Sequence, residues 1–196
     1  MIVAPCDAAG VAFTGVVLCG GRSTRMGRDK ALLEVAGVAM ARRVADALLV
    51  AGATEVLAVG GDATALRALG LDARADDRPG AGPLSATITA LGQAREDLVL
   101  VVGCDLRHPH PPSMARTVAA LARSDGALGA VPTIAGQRQW VHAAWRRHAA
   151  ERLAVELERG RRSLQRAAGA LELVLVHDID PEAVADADHP SELPDP

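Results

Sequence analysis

The sequence predicts an α/β fold, a three-layer sandwich in which a mainly parallel sheet carries helices on both faces. Three observations lead there. Short apolar runs alternate with helix-periodic segments along the 196 residues, the pattern of successive strand–helix units. The strongest run, "DLVLVVGCD" (97–105), is apolar without interruption, as in a strand covered on both faces. The first strand-like run, "TGVVLCGG" (14–21), ends in a double glycine, which allows a tight turn into a ligand-facing loop.

The elements follow in order. "VAMARRVADALLVAG" (38–52) places apolar residues at helical spacing and ends at Gly52, a C-terminal capping glycine. "EVLAVGG" (55–61) is the second strand, followed by a helix-like "ATALRALG" and then "LDARADD". "GPLSATITALGQAR" (82–95) is helical and leads into the 97–105 strand. "PPSMARTVAALARSDG" (111–126) opens on prolines, which suit a first helical turn, and stops at Gly126. "ALGAVPT" and "QWVHAAW" are strands, "RRHAAERLAVELERG" (146–160) is a helix, and "LELVLVHDID" is a late strand. There is no internal repeat or linker, so residues 1–13 form an N-terminal extension and 14–194 a single domain. In such sheets ligands bind beyond the carboxyl ends of the strands. Two unusual sequences occupy those ends: the loop after Leu18 and "GCD" after Val102.

Composition narrows the function. The chain is 49% hydrophobic with no Tyr and one Phe, so its core must be Ala, Val and Leu. A net charge of -3 argues against nucleic-acid binding driven by counterion release. Yet Arg22, Arg25, Arg28 and Lys30 fall within nine residues, which points to a small anionic ligand. Cys6, Cys19 and Cys104 show no metal-ligand spacing and are odd in number, which excludes a disulfide framework or structural zinc. Cys19 and Cys104 nevertheless end what are read as neighbouring strands, within disulfide range of each other. "MIVAPCDAAGVAFTG" lacks a basic n-region, and no apolar run reaches the roughly 20 residues a membrane helix needs. The expectation is a cytoplasmic protein with no nucleic-acid or membrane partner.

"VVLCGGRSTRMGRDKALLEV" (16–35) fits neither standard phosphate motif. Five residues separate Gly21 from Gly27 and Arg28 follows, which breaks GxxxxGK[ST]; the adjacent Gly20 and Gly21 break GxGxxG. The physics persists: glycines after a strand bring backbone N–H groups close to an anion, while Arg25 and Lys30 add a planar fork and a point charge. The stretch resembles the nucleotidyltransferase signature L-A-G-G-x-x-x-R-M-G-x-D-K-x-L, and more narrowly the MobA-like molybdenum cofactor guanylyltransferases. Cys19 stands where alanine is usual. The resemblance, strong in the first third and diluted after Asp105, implies a Rossmann-like nucleotidyltransferase (nucleotide-diphospho-sugar transferase) fold. It also implies that Leu18, Cys19, Gly20 and Gly21 contact the nucleotide, that Arg25 holds the triphosphate, and that Lys30 stabilises the α-phosphate and leaving pyrophosphate. Asp29, a carboxylate that phosphates would repel, is assigned to ordering the loop.

Further segments carry the same resemblance. "ADDRPGAGPLSAT" (75–87) is similar to D-x-x-P-G-x-G-P-L-A-G, which implies that Asp76 rather than Asp77 contacts the guanine nucleotide. "VVGCDLRHPH" (101–110) is similar to C-D-x-P, making Asp105 the Mg²⁺ ligand, although Arg107 replaces the expected proline. "DADHPSEL" (186–193) matches N-x-N-T-P-E-D-L with Asp186 and Asp188 for both asparagines. Asp188 is thereby either a second Mg²⁺ ligand or a helix cap. "GQRQWVHAAWRR" (136–147) and "ERGRRSLQRA" (158–167) resemble the acceptor segments and make Arg138, Arg161 and Arg162 acceptor-binding residues. Trp140 and Trp145 either stack on a pterin or pack, and His142 is not assigned to catalysis. The implied reaction moves GMP from GTP to the terminal phosphate of (molybdenum-)molybdopterin and releases pyrophosphate, with transient contact to proteins that insert or accept the cofactor. Two other readings stay open: a cytidylyl- or guanylyltransferase of the same superfamily for another phosphorylated acceptor, and a nucleotide-binding regulatory protein without turnover.

Overall fold

A computed structural model describes residues 10–20 and 29–187. Strand β1 (Thr14–Leu18) is followed by a 3₁₀ turn at Lys30–Leu32 and a hairpin of β2 (Glu34–Val35) and β3 (Val38–Ala39). Helix α1 (Met40–Val50), β4 (Glu55–Val59), α2 (Ala63–Ala68), β5 (Asp72–Arg74) and α3 (Pro83–Gln93) come next. The second half contains β6 (Leu98–Gly103), α4 (Pro111–Ala122), β7 (Gly129–Ile134), β8 (Gln137–Arg138) and β9 (His142–Arg146). It closes with α5 (Ala149–Glu158), α6 (Leu164–Ala168), β10 (Leu173–Val176) and a 3₁₀ turn at Pro181–Val184.

The main sheet runs β10-β7-β9-β6-β1-β4-β5, with β8 paired to β7. The pairs β1–β4, β1–β6, β4–β5 and β7–β10 are parallel, whereas β9 runs against both β6 and β7. The strand order reverses between β1, which leads outward to β4, and β6, which leads the other way. That reversal opens a crevice at the carboxyl ends of β1 and β6.

Strand alternation divides the core. Val17, Ala58, Leu100 and Val102 face α1, α2 and α4, together with Phe13 and Leu48. Val16, Leu57, Val99 and Val101 face α3, α5 and α6. Both faces of β6 are therefore covered, which accounts for its unbroken apolar sequence. Trp145 is fully buried in the second layer. It lies over Gly129, where an added Cβ would come within 2.8 Å of the indole ring. Of the two readings of Trp145, packing is the one the structure shows.

Three boundaries differ from the sequence reading. Val38 and Ala39 pair with Val35 and Glu34, so α1 begins only at Met40. The turn of that hairpin places Ala36 and Gly37 at φ 51° and 77°, the double left-handed geometry that matches strand twist. Strand β9 starts at His142 rather than Gln139, because Gln139 is held to the Pro132 carbonyl and turns the chain back onto His142. Arg146 belongs to β9, opposite Leu98, and not to the helix that follows.

Candidate active site

The carboxyl ends of β1, β4, β5 and β6 surround a cleft of about 930 Å³, a size suited to a nucleotide. Its floor is largely main chain. Leu18, Cys19 and Gly20 emerge from β1, and Gly60 and Gly61 from the neighbouring β4. The two glycine turns lie backbone against backbone: a Cβ on Gly60 would stand 3.0 Å from the Gly20 backbone, and one on Gly61 2.9 Å from the Cys19 carbonyl. Both residues of the β4 turn have positive φ, 82° and 70°, so glycine is required twice over. In the sequence Gly60 and Gly61 read only as the end of a strand. Their signal was a second double glycine at the carboxyl end of a strand parallel to the first.

On the far wall, α3 begins at Gly82 with Pro83 as its first helical residue and no side-chain cap on its N–H groups. Gly82, Pro83 and Ala86 line the cleft, so that uncapped helix start faces it. Asp76 also lines the cleft. Its Oδ1 accepts from the Arg78 backbone N–H at 3.0 Å and from Thr89 Oγ1 of α3 at 3.3 Å. Asp77 is exposed and outside the cleft wall.

Lys30 and Asp105, 75 residues apart, meet at the β1–β6 edge. Lys30 Nζ lies 3.0 Å from Asp105 Oδ2 and donates to the Ala187 carbonyl at 2.7 Å. Asp105 folds back over the end of β6, and Gly103 makes the room: a Cβ there would sit 2.9 Å from Asp105 Oδ1. Asp29 accepts from the Ala31 N–H at 3.0 Å and caps the 3₁₀ turn that carries Lys30. It thus fixes that turn, and it also lines the cleft. The segment after Asp105, where Arg107 replaces proline, is held from two sides. Arg43 of α1 donates to the Arg107 carbonyl at 3.2 Å, and the Arg107 N–H donates to Ala185 at 2.9 Å.

The C-terminal segment returns to this edge. Asp186 bridges Leu106, the Ala187 N–H donates to the Asp105 carbonyl at 2.8 Å, and Asp186 lines the cleft. Cys19 and Cys104 continue the register of Leu18 and Gly103 on adjacent strands, and both are buried free thiols. A hydrogen bond between the Cys104 thiol and Cys19, together with burial, holds the Cys104 pKa well above its ordinary value.

Of the residues expected from sequence, Leu18, Cys19, Gly20, Lys30, Asp76 and Asp105 come together in the cleft. Gly21, Arg25 and Asp188 lie outside the described residues. Arg138, Arg161 and Arg162 do not line the cleft. Arg138 sits on β8 with its guanidinium 5.6 Å from the Trp140 ring centre. Arg161, just beyond α5, is held by the largely buried Glu156 at 2.9 Å.

An open α/β sheet with paired glycine turns, a lysine–aspartate pair and a helix start around one nucleotide-sized cleft defines a Rossmann-like nucleotidyltransferase fold. A sequence profile of the MobA-like NTP transferase domain matches residues 15–173, and the chain belongs to that family. A probable molybdenum cofactor guanylyltransferase of Pelotomaculum thermopropionicum is 44% identical over 119 residues, 61% of this chain and 56% of that protein. One from Chloroflexus aggregans is 33% identical over 86% of this chain and 80% of that protein. Apart from such longer matches, the chain spans about half the length of the curated relatives it matches. Among solved structures, molybdopterin-guanine dinucleotide biosynthesis protein A from Archaeoglobus fulgidus superposes with TM-score 0.74 at 17% identity, covering 91% of this chain and 94% of that one. The 2-C-methyl-D-erythritol 4-phosphate cytidylyltransferase of Thermus thermophilus superposes with TM-score 0.68 at 20% identity, covering 90% and 93%. These two likenesses establish the fold. No described helix is long and apolar enough to cross a membrane.

Proposed function

We propose that the chain transfers GMP from GTP to the terminal phosphate of molybdopterin, forming a guanine dinucleotide cofactor and pyrophosphate. The observation that carries this reading is the Lys30–Asp105 pair at the β1–β6 crevice, beside two glycine turns. Family membership and the guanylyltransferase names of the relatives supply the substrate class.

GTP lies across the strand ends, its base side toward Asp76 and its triphosphate along the Gly20 turn toward Lys30; Gly21 is assigned to nucleotide contact and Arg25 to the triphosphate. Lys30 takes the charge that develops on the α-phosphate and the departing pyrophosphate. The attacking group is a phosphate and already anionic, so no general base is required. Catalysis is positioning and charge neutralisation.

The described residues contain no group of three His, Cys, Asp or Glu side chains able to hold a metal. Of the four aspartates that line the cleft, Asp105 and Asp186 lie together at its β6 edge, and one or two carboxylates completed by phosphate oxygens suit Mg²⁺. Asp105 is assigned as its principal protein ligand. Asp105 would hold Mg²⁺ there, and the ion would supply neutralisation of the triphosphate charge. Arg138, Arg161 and Arg162 are assigned to the molybdopterin phosphate and pterin, the acceptor entering from the β7–β9 side.

The test is a reaction of purified protein with molybdopterin, Mg²⁺ and GTP, CTP or ATP in turn, read by pyrophosphate release and product mass. GTP should give pyrophosphate and a product heavier by GMP. Product with CTP alone, or nucleotide affinity without release, would overturn the reading.

A further inference from the structure

His142 opens β9 opposite Val102, next to the strand end that carries Asp105. Its side chain is only 4% exposed, whereas that of Asp186 is 39% exposed. His142 Nε2 and Asp186 Oδ1 are 3.1 Å apart. A carboxylate can only accept, so Nε2 carries the hydrogen and donates. Nδ1 is buried with no hydrogen-bond partner among the described residues, so the ring is fixed by packing and by this one bond. Bonding at Oδ1 leaves the second oxygen of Asp186 able to meet a ligand.

Gly103 ties this pair to Asp105. A Cβ on Gly103 would stand 2.9 Å from Asp105 Oδ1 and 3.7 Å from His142 Cε1, so both side chains pack over the same glycine. The Leu106–Asp186 bridge and the Ala187-to-Asp105 hydrogen bond bring the two aspartates to one edge of the cleft. A surface aspartate ordinarily samples several rotamers. Asp186 is instead held by a buried donor while its segment is pinned by Lys30 through the Ala187 carbonyl.

We propose that His142 is a positioning residue that holds Asp186 beside Asp105, so that the two carboxylates act together on the divalent cation of a bound nucleotide. The proposal rests on the reading of the cleft as a metal–nucleotide site. Hydrogen-bond partners of this kind orient metal ligands, and their loss commonly costs about 10–100-fold in affinity.

The experiment measures Mn²⁺ binding to the enzyme–GTP complex by the electron paramagnetic resonance signal of free Mn²⁺. His142→Phe should weaken binding by about tenfold, and His142→Gln, whose amide can replace the Nε2–H donor, should restore most of it. Asp186→Ala should weaken binding at least as much as His142→Phe. In the Asp186→Ala background His142→Phe should add almost nothing, because both changes remove one interaction. The Asp186 variants alter a part-exposed side chain and keep the test meaningful if His142→Phe alone unfolds. Normal Mn²⁺ affinity in His142→Phe, or equal losses with and without the Asp186 substitution, would overturn the proposal alone. Absence of Mn²⁺ binding by the unaltered enzyme–GTP complex would overturn the cleft reading together with it.

Discussion

The two sides of the cleft are built differently. Toward β4 and β5 the wall is largely main chain, the Gly20 turn stacked on Gly60 and Gly61 and the bare start of α3, with Arg74 and Asp76 beside it. Toward β6 and β9 it is side chain: Asp105, Lys30, and the His142–Asp186 pair. Backbone donors fit the part of a nucleotide that every turnover shares, and they need glycine at fixed places. Charged side chains act where charge changes during the reaction, and they can be recruited from anywhere in the chain. Under the proposed function, holding the nucleotide and acting on it are tasks of different walls.

The largest expected effect falls on the side-chain wall. Asp105→Ala should lower turnover by about 10²–10³-fold, the scale of losing one preorganised electrostatic group, with an unchanged melting temperature. Steady-state pyrophosphate release checks it; a near-normal rate would break the division of tasks.

On the main-chain wall, Gly61→Ala combines a positive φ with a Cβ 2.9 Å from the Cys19 carbonyl. It should cost more than the ~1–2 kcal/mol of a left-handed alanine and weaken GTP binding. Gly80→Ala, at φ 78° with nothing within 4 Å, should show the conformational cost alone. Chemical denaturation of both variants separates the contact from the strain.

Arg138→Ala should raise KM for molybdopterin by about tenfold, the value of one charge-assisted hydrogen bond, and leave KM for GTP unchanged. Equal shifts in both would move Arg138 to the nucleotide side.

The smallest effect concerns Cys104 beneath the boundary of the two walls. Its pKa is raised in the folded protein above an ordinary 9.0, first by the hydrogen bond with Cys19 and then by burial. The native state keeps this proton where the unfolded chain loses it. Its contribution to stability is therefore complete below pH 9 and declines as pH rises above it. Cys104→Ala should flatten that decline in melting temperature between pH 8 and 10.

The same contrast explains what the sequence made legible. Gly20, Lys30, Asp76 and Asp105 lie in contiguous motifs at or near strand ends, and the structure brings all four to one cleft. The burial of β6 was readable from its unbroken apolar run. Pairings across the topology were not. His142 and Asp186 are 44 residues apart, and only the reversed strand β9 brings them together. The sequence left Trp145 either to stack on a pterin or to pack, and Gly129 beneath it decides for packing. Gly60 and Gly61 were visible as residues, but their role depends on β4 lying beside β1.

Lys30 stands where the two walls meet, bonded to Asp105 and to the C-terminal segment. The most direct test is to measure Lys30→Ala twice: GTP affinity at equilibrium, and the single-turnover rate of GMP transfer to molybdopterin at saturating GTP. Main-chain holding with side-chain catalysis predicts GTP affinity within about tenfold of the unaltered protein and a rate at least about 100-fold lower. A normal rate at saturating GTP, with the whole defect in affinity, would contradict it.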